Sequence, residues 1–76
     1  MPEVMLFEIF GMETEACAKA ATEVLRNIVG IEDVEVNSTS CCGLVYSSKP
    51  ISSEQIVAIL GAIGFHAQLK DRVDLP

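Results

Sequence analysis

The residues with the clearest capacity for chemistry in this sequence are its sulfur and imidazole side chains. Three cysteines, Cys17, Cys41 and Cys42, are accompanied by one histidine, His66. Thiolates bind soft ions such as Cu(I), and added carboxylate or imidazole ligands suit Zn(II). An odd number of cysteines argues against a disulfide framework. The adjacent pair also suits a disulfide poorly, because neighbouring side chains in a strand point to opposite faces.

Other kinds of chemistry find little support in the sequence. No serine or cysteine is accompanied by a credible histidine base, and no glycine-rich phosphate loop is present, so we expect no enzyme activity. The net charge is −6, from 11 acidic and 5 basic residues. Such a surface repels phosphate and predicts no binding to nucleic acid. It suits a cation or a basic protein partner, or serves solubility alone.

A strand followed by a helix is predicted for the first part of the chain. Residues 4–10 are rich in strand-forming side chains, and Gly11 ends them. From Thr14 to Ile28 the apolar spacing becomes helical, with Thr14 as a natural N-cap and Gly30 as a natural stop. The apolar stripe of this helix consists of Cys17, Ala21, Val24, Leu25 and Ile28.

Two further strands are predicted to form a hairpin after this helix. Residues 31–37 alternate well enough for a strand, and the polar run 38–40 makes a turn. Residues 42–47 form the next strand, with Cys42 in phase with Leu44 and Tyr46, so Cys42 has a simple interpretation as a core residue.

A second helix and a last strand complete the prediction. The helix runs from Ser53 to Ile63, with Ser52 and Gln55 as a capping box and Gly64 as its end. The last strand covers residues 65–69 and is short.

The chain is predicted to form one domain over residues 1–69, with residues 70–76 as a tail or linker. At 76 residues it has room for one thin core, and 50% of its residues are hydrophobic. Its apolar runs stay below the roughly 18 residues that a membrane span needs. The stretch 1–11 carries no basic residue, which predicts no export signal and a cytoplasmic location.

The order of these elements, βαββαβ, predicts an α+β protein with a ferredoxin-like fold. Right-handed crossovers place the strands in the order 4-1-3-2, in one antiparallel sheet with both helices on one face. In that topology the loop after strand 1, the turn between strands 2 and 3, and the loop before strand 4 lie at the same end of the sheet. Cys17, the Cys41–Cys42 turn and Phe65 are therefore expected near one another.

One local motif has a recognisable counterpart. The run from Gly11 to Cys17, Gly-Met-Glu-Thr-Glu-Ala-Cys, resembles the G-M-x-C-x-x-C metal loop of heavy-metal-associated domains. Those domains occur in copper chaperones and at the N-termini of metal-transporting P-type ATPases. The resemblance extends over residues 4–69. Further matching positions are Val29-Gly30-Ile31, the strand Val34 to Asn37, Tyr46, the start of helix 2 from Ser52 to Ile56, and Gly64-Phe65.

This resemblance implies binding and transfer of a soft metal ion, Cu(I) first and Zn(II) or another heavy metal as alternatives. Cys17 occupies the place of the second cysteine ligand, while Thr14 stands where the first belongs. In the family, the methionine at the position of Met12 packs inward and supports the loop, and the aromatic residue at the position of Phe65 shields the site. The implied partner is another heavy-metal-associated domain or a metallochaperone. The domain itself spans no membrane, although it can be part of a membrane transporter.

The substitution at position 14 leaves several ligand sets open. A hydroxyl is a poor ligand for Cu(I), so Cys41, Cys42 or both are candidates to replace the missing sulfur beside Cys17. The start of a helix lowers the pKa of the Cys17 thiol, whereas Glu13 and Glu15 raise it. Those carboxylates are also candidate ligands for Zn(II).

Other interpretations of these residues remain. Cys17 can simply seal the start of the helix as a small apolar side chain. His66 is either an outer ligand or a solvated surface residue.

Two other functions compete with metal binding. A metal-free interaction module is favoured by the small outward-facing residues Ala58, Gly61 and Ala62 on helix 2. A small-molecule regulatory domain of the ACT type shares the element order, but the loop motif argues against it. An RNA-binding version needs basic charge and stacking aromatics, which the chain lacks.

Overall fold

The strands and helices follow one another in the predicted order. A computed structural model describes residues 2–74 of the chain. The sheet is antiparallel, with the strand order β2-β3-β1-β4, which is the predicted 4-1-3-2 arrangement read from the other edge. The α+β, ferredoxin-like prediction is therefore confirmed. The elements are β1 (Glu3–Phe10), α1 (Glu15–Arg26), β2 (Ile31–Asn37), β3 (Cys42–Ser47), α2 (Ser53–Ala62) and β4 (His66–Asp74).

The two faces of the sheet differ in what covers them. In β1 the side chains of Met5, Phe7 and Ile9 are fully buried on the face that the helices cover. The intervening Val4 and Leu6 are only half-buried, on the opposite face. This alternation follows from the two-residue period of a strand with one covered face. We call the uncovered side the open face of the sheet.

The core lies between the sheet and the helices. Helix α1 contributes Ala18, Ala21 and Leu25, and α2 contributes Ile56 and Leu60. Each large buried side chain stabilises the fold by roughly 2 kcal/mol through removal of apolar surface from water. The buried hydrophobic residues are Met5, Phe7, Ile9, Met12, Ala18, Ala21, Leu25, Val34, Val45, Ile51, Ile56, Leu60 and Ala67.

Side-chain caps begin both helices. Thr14 caps α1 as predicted, and its hydroxyl accepts a hydrogen bond from the backbone N–H of Cys17 at 3.4 Å. Ser52 caps α2, with its hydroxyl accepting from the N–H of Glu54 at 3.2 Å. Gln55, the predicted partner in a capping box, instead donates its backbone N–H to the carbonyl of Ser52. The starts of both helices are thus fixed largely by local sequence.

The last strand is longer than predicted. The sequence suggested a strand over residues 65–69 and a tail over 70–76. In the structure β4 extends from His66 to Asp74 and pairs with β1 along its length. The predicted end at residue 69 was therefore wrong, and residues 70–74 belong to the sheet. Residues 75–76 of the predicted tail lie outside the described residues.

A β-bulge in β4 explains why the sequence pattern did not reveal that this strand continues beyond residue 69. Leu69 pairs with Phe7 and Asp71 pairs with Leu6, which leaves Lys70 without an opposite residue in β1. An extra residue resets the alternation of inward and outward side chains. The charged residues after Leu69 also suit an edge strand, where charge discourages pairing with other chains.

Candidate metal centre

Three connecting segments meet at one end of the sheet, as the topology predicted. The loop 11–14 follows β1, and the hairpin turn lies beside it because the carbonyl of Cys41 accepts a hydrogen bond from the N–H of Ile9 at 2.8 Å. On the other side of β1, His66 pairs with Phe10 at the start of β4. The loop 11–14, the hairpin turn with Cys41 and the start of β4 are therefore neighbours.

Cys17 lies in the first turn of α1 and directly contacts the residue that replaces the first family cysteine. Its side chain is half-buried against the core. The hydroxyl of Thr14 donates a hydrogen bond to Cys17 Sγ at 3.5 Å while also accepting from the Cys17 N–H. Residue 14 thus points at the sulfur of Cys17, although it offers oxygen where a soft ion prefers sulfur.

The hydrogen bond from the Thr14 hydroxyl also lowers the pKa of the Cys17 thiol. The pKa of the Cys17 thiol lies below its ordinary value, chiefly because the Thr14 hydroxyl stabilises the thiolate, with further help from the backbone at Glu13 and Thr14. Partial burial and the negative charge of Glu13 act in the opposite direction but are weaker. More of this thiol is therefore ionised at neutral pH than in an ordinary cysteine, and the thiolate is the form that binds metal.

Removing the Thr14 hydroxyl is expected to slow the chemistry of Cys17. In a Cys41→Ser/Cys42→Ser background, Thr14→Val should raise the Cys17 pKa, because the thiolate loses its principal donor, and shift the pH profile of alkylation upward. Alkylation of Cys17 at neutral pH should then be several-fold slower, as measured by iodoacetamide labelling and mass spectrometry. Thr14→Ser keeps a hydroxyl and serves as the control. Coincident profiles for the Val and Ser variants would show that the hydroxyl does not tune the thiol.

The two cysteines of the hairpin, Cys41 and Cys42, lie in environments different from that of Cys17. Cys41 lies in the turn with φ at 56°, and its Sγ is 3.7 Å from the carbonyl oxygen of Ser38. Cys42 begins β3 and is indeed in phase with Leu44 and Tyr46, but that phase is the open face of the sheet. The suggestion that Cys42 is a core residue was therefore wrong, because helices cover the other face and leave Cys42 half-buried.

The cysteines share an end of the sheet without forming a ready cluster. Among residues 2–74, no three His, Cys, Asp or Glu side chains are grouped closely enough to hold one ion. Cys17 lies on the helix layer, whereas Cys42 lies on the open face. A site shared by Cys17 with Cys41 or Cys42 stays a prediction. The carboxylates of Glu13 and Glu15 form no such group with Cys17 either.

Two residues were expected to support the loop, Met12 from within it and Phe65 from the segment before β4. Met12 is 5% exposed and belongs to the core, which agrees with the inward packing that the resemblance implies. Phe65 is half-buried, and its ring would lie 3.4 Å from a side chain added at Gly11. Gly11 has φ at 103°, a conformation that glycine adopts without strain. The loop therefore turns tightly under Phe65.

His66 and an exposed aromatic residue form a pair that the sequence did not reveal. The rings of His66 and Phe10 stack with their centroids 6.0 Å apart, and Phe10 is 46% exposed. His66 is itself exposed, as the surface interpretation proposed. The pair arises because the two residues are opposite each other in the β1–β4 register, which sequence spacing alone does not give. The contact between Thr14 and Cys17 was also missed, although their spacing of three in a capped first turn was a usable signal.

Solved structures with this fold include copper-binding domains. The N-terminal domain of a potential copper-translocating P-type ATPase from Bacillus subtilis, in the Cu(I)-loaded state, is 28% identical; the alignment covers 99% of this chain and 95% of that chain, with a TM-score of 0.86. The copper(I)-loaded first domain of the human copper chaperone for SOD1 is 27% identical, with coverage of 96% and 99% and a TM-score of 0.81.

A more distant likeness shows the fold alone. Oxidized MerP from Ralstonia metallidurans is 15% identical, with coverage of 93% and 100% and a TM-score of 0.85. No family model matches the chain, and no curated protein matches it. The chain thus has the ferredoxin-like fold of heavy-metal-associated domains, on structural grounds. Within residues 2–74, no helix combines the length and apolar composition that crossing a bilayer requires.

Proposed function

We propose that this domain binds a soft metal ion and transfers it, with Cu(I) as the favoured ion and Cys17 as the ligand. The observation that supports this most is the Cys17 sulfur itself. It lies in the first turn of α1 with its pKa lowered, on a fold shared with two Cu(I)-loaded domains at 27–28% identity. The domain would act as a metallochaperone-like carrier or as the N-terminal domain of a metal-transporting ATPase. It would not act as an enzyme.

Binding of the metal ion through a single thiolate affects how the ion is transferred to another protein. Cu(I) favours thiolate ligands, and Thr14 beside Cys17 supplies a hydroxyl, which binds this ion poorly. The missing sulfur is then supplied by the domain that delivers or receives the ion. A second heavy-metal-associated domain or a metallochaperone, both cytoplasmic, would exchange ligands with Cys17. Weak retention between encounters makes the ion easy to release.

The hairpin cysteines remain the candidates for a second sulfur within the chain. Cys41 and Cys42 lie at the same end of the sheet as Cys17, Cys41 in the short turn between β2 and β3 and Cys42 at the start of β3. A site that also used Glu13 or Glu15 would combine thiolate with oxygen and would suit Zn(II) rather than Cu(I).

A metal-free interaction module is the second candidate function. Ala58, Gly61 and Ala62 are all exposed on α2, and Ile63 beside them is 41% exposed. A solvated helix usually carries charge on its outward side. This small, apolar surface would allow another backbone to approach closely. If the domain binds no metal, this surface of α2 is the expected site for a protein partner.

Metal titration separates the two functions. Reduced protein is titrated with Cu(I) and Zn(II) against a competing chelator, as wild type, Cys17→Ser and Cys41→Ser/Cys42→Ser. We expect Cys17→Ser to bind no better than a cysteine-free variant, because it removes the thiolate proposed to hold the ion. The double hairpin variant should retain the wild-type affinity for Cu(I).

Two outcomes would change this account. If the hairpin variant loses binding as completely as Cys17→Ser, the site is shared across the end of the sheet. If wild type binds no better than the cysteine-free variant, metal binding is rejected and the interaction module takes its place.

A further inference from the structure

The open face of the sheet has a continuous apolar surface. Val4 on β1 pairs with Tyr46 on β3 and with Val73 on β4, and the next outward residue of β1, Leu6, pairs with Leu44. These five side chains, which we call the open-face patch, lie on three adjacent strands. Val73 is 50% exposed and the others are half-buried. Within residues 2–74 both helices pack on the opposite face of the sheet, and a contiguous apolar surface left outside the core is a candidate interaction site.

Carboxylates flank this patch on both sides. In one row across the sheet, Glu35 of β2 pairs with Leu44, and Asp71 of β4 pairs with Leu6. Both carboxylate residues are exposed. The two leucines therefore lie between negative charges on the outer strands.

An ion pair lies beside this row. Glu8 follows Leu6 on the open side of β1, and Lys70 Nζ lies 3.8 Å from its carboxylate. That pair is nearly neutral as a unit, so Glu35 and Asp71 leave the rim negative. A partner with an apolar centre and basic flanks would complement this surface.

Charge also argues against three other binding partners for the open-face patch: a second copy of this chain, nucleic acid and anionic lipid. A second copy of the chain would pack the same patch against itself, because a twofold interface uses one surface twice. Its Glu35 and Asp71 would then face an equally acidic rim, in a protein of net charge −6. Nucleic acid and anionic lipid are repelled by the same rim. A cationic protein segment is the occupant that remains.

The size of the patch matches one helix. Strands lie about 4.8 Å apart, so β3 and β4, on either side of β1, are separated by about 10 Å. A helix with its side chains is about 10–12 Å wide. Along β1, Val4 and Leu6 are about 7 Å apart, little more than the pitch of one helical turn.

We propose that the open-face patch binds an amphipathic helix whose apolar stripe is flanked by lysine or arginine. The helix lies over β3, β1 and β4, with its apolar side chains on Leu6, Leu44 and Val4 and its basic side chains near Glu35 and Asp71. This completes a second helical layer on the sheet. The binding does not depend on a metal, since Cys17 lies on the other side of the sheet.

A synthetic helical peptide with leucine on one face and lysine elsewhere provides the probe. It is titrated into ¹⁵N-labelled protein, beside a matched peptide with glutamate in place of lysine. We expect the lysine peptide to shift amides in β1, β3 and β4, with α1 and α2 unaffected, and the glutamate peptide to shift none. Leu44→Ser should weaken binding about tenfold, whereas Val29→Ser, at a residue 79% exposed in the loop after α1, should not.

Charge reversal keeps the proposal testable if Leu44→Ser disturbs folding. Glu35→Lys/Asp71→Lys changes exposed side chains and should weaken the lysine peptide at least as much. Cys17→Ser should bind the peptide normally, which separates this proposal from the metal function. Shifts confined to the helices, equal binding of both peptides, or a wild-type dimer that Leu44→Ser dissociates would each overturn it.

Discussion

Replacing Thr14 with cysteine is expected to raise the affinity of this domain for Cu(I) by roughly two to four orders of magnitude. The hydroxyl of Thr14 already lies 3.5 Å from Cys17 Sγ and is directed at it. A sulfur in that position would give the loop two thiolates, the ligand type that Cu(I) prefers. The second ligand is then supplied within the molecule, so its effective concentration no longer depends on a partner.

A competition titration with a Cu(I) chelator measures this change. Thr14→Ser is the matched control, because it keeps an oxygen at the same position and should bind like wild type. Loss of the threonine cap costs about 1 kcal/mol, so a denaturant curve should accompany the titration to show that Thr14→Cys is folded. An affinity equal to that of Thr14→Ser would show that residues 14 and 17 do not form a ligand pair.

Removing residues 70–76 is expected to destabilise the domain by roughly 3 kcal/mol, because several backbone hydrogen bonds worth about 1 kcal/mol each are lost from β1. The deleted half of β4 pairs with β1 as far as Glu3. It also contains Arg72, whose guanidinium lies 3.5 Å from Met5 Sδ and 3.4 Å from the carbonyl oxygen of Ile51. Such a loss is a large share of the 5–15 kcal/mol typical of folded domains.

Urea unfolding of the full chain and of the truncated chain measures the difference. Deletion of residues 75–76 alone is the control, since it leaves every described pairing between β1 and β4 in place, as far as Asp74. An unchanged free energy of unfolding after removal of 70–76 would mean that this segment is a tail after all.

Most of the fold could be predicted because its signals are local. Strand alternation, the helical stripe around Ala21 and Leu25, and caps at Thr14 and Ser52 each specify an element independently of the others. The handedness rule for βαβ units then leaves one sheet order. The end of β4 could not be predicted in this way, because the bulge at Lys70 breaks the period on which the prediction depends.

The site was predictable to a smaller extent. The motif singled out Cys17 and Thr14, and the topology correctly placed the hairpin at the same end of the sheet. The sequence did not show which face Cys42 uses, because a strand pattern fixes phase and leaves open which phase the helices cover. The direction of the Cys17 pKa shift was also open, since it depends on the orientation of one hydroxyl against the charge of Glu13.

The most direct measurement of the central claim is a Cu(I) titration of reduced, ¹⁵N-labelled protein under anaerobic conditions, followed by amide chemical shifts. If Cys17 holds the ion, the shifts will be centred on the loop 11–14 and the first turn of α1, and Cys17→Ser will abolish them. Shifts centred on the hairpin 38–42, or none up to one equivalent of Cu(I), would contradict Cys17 as the metal ligand.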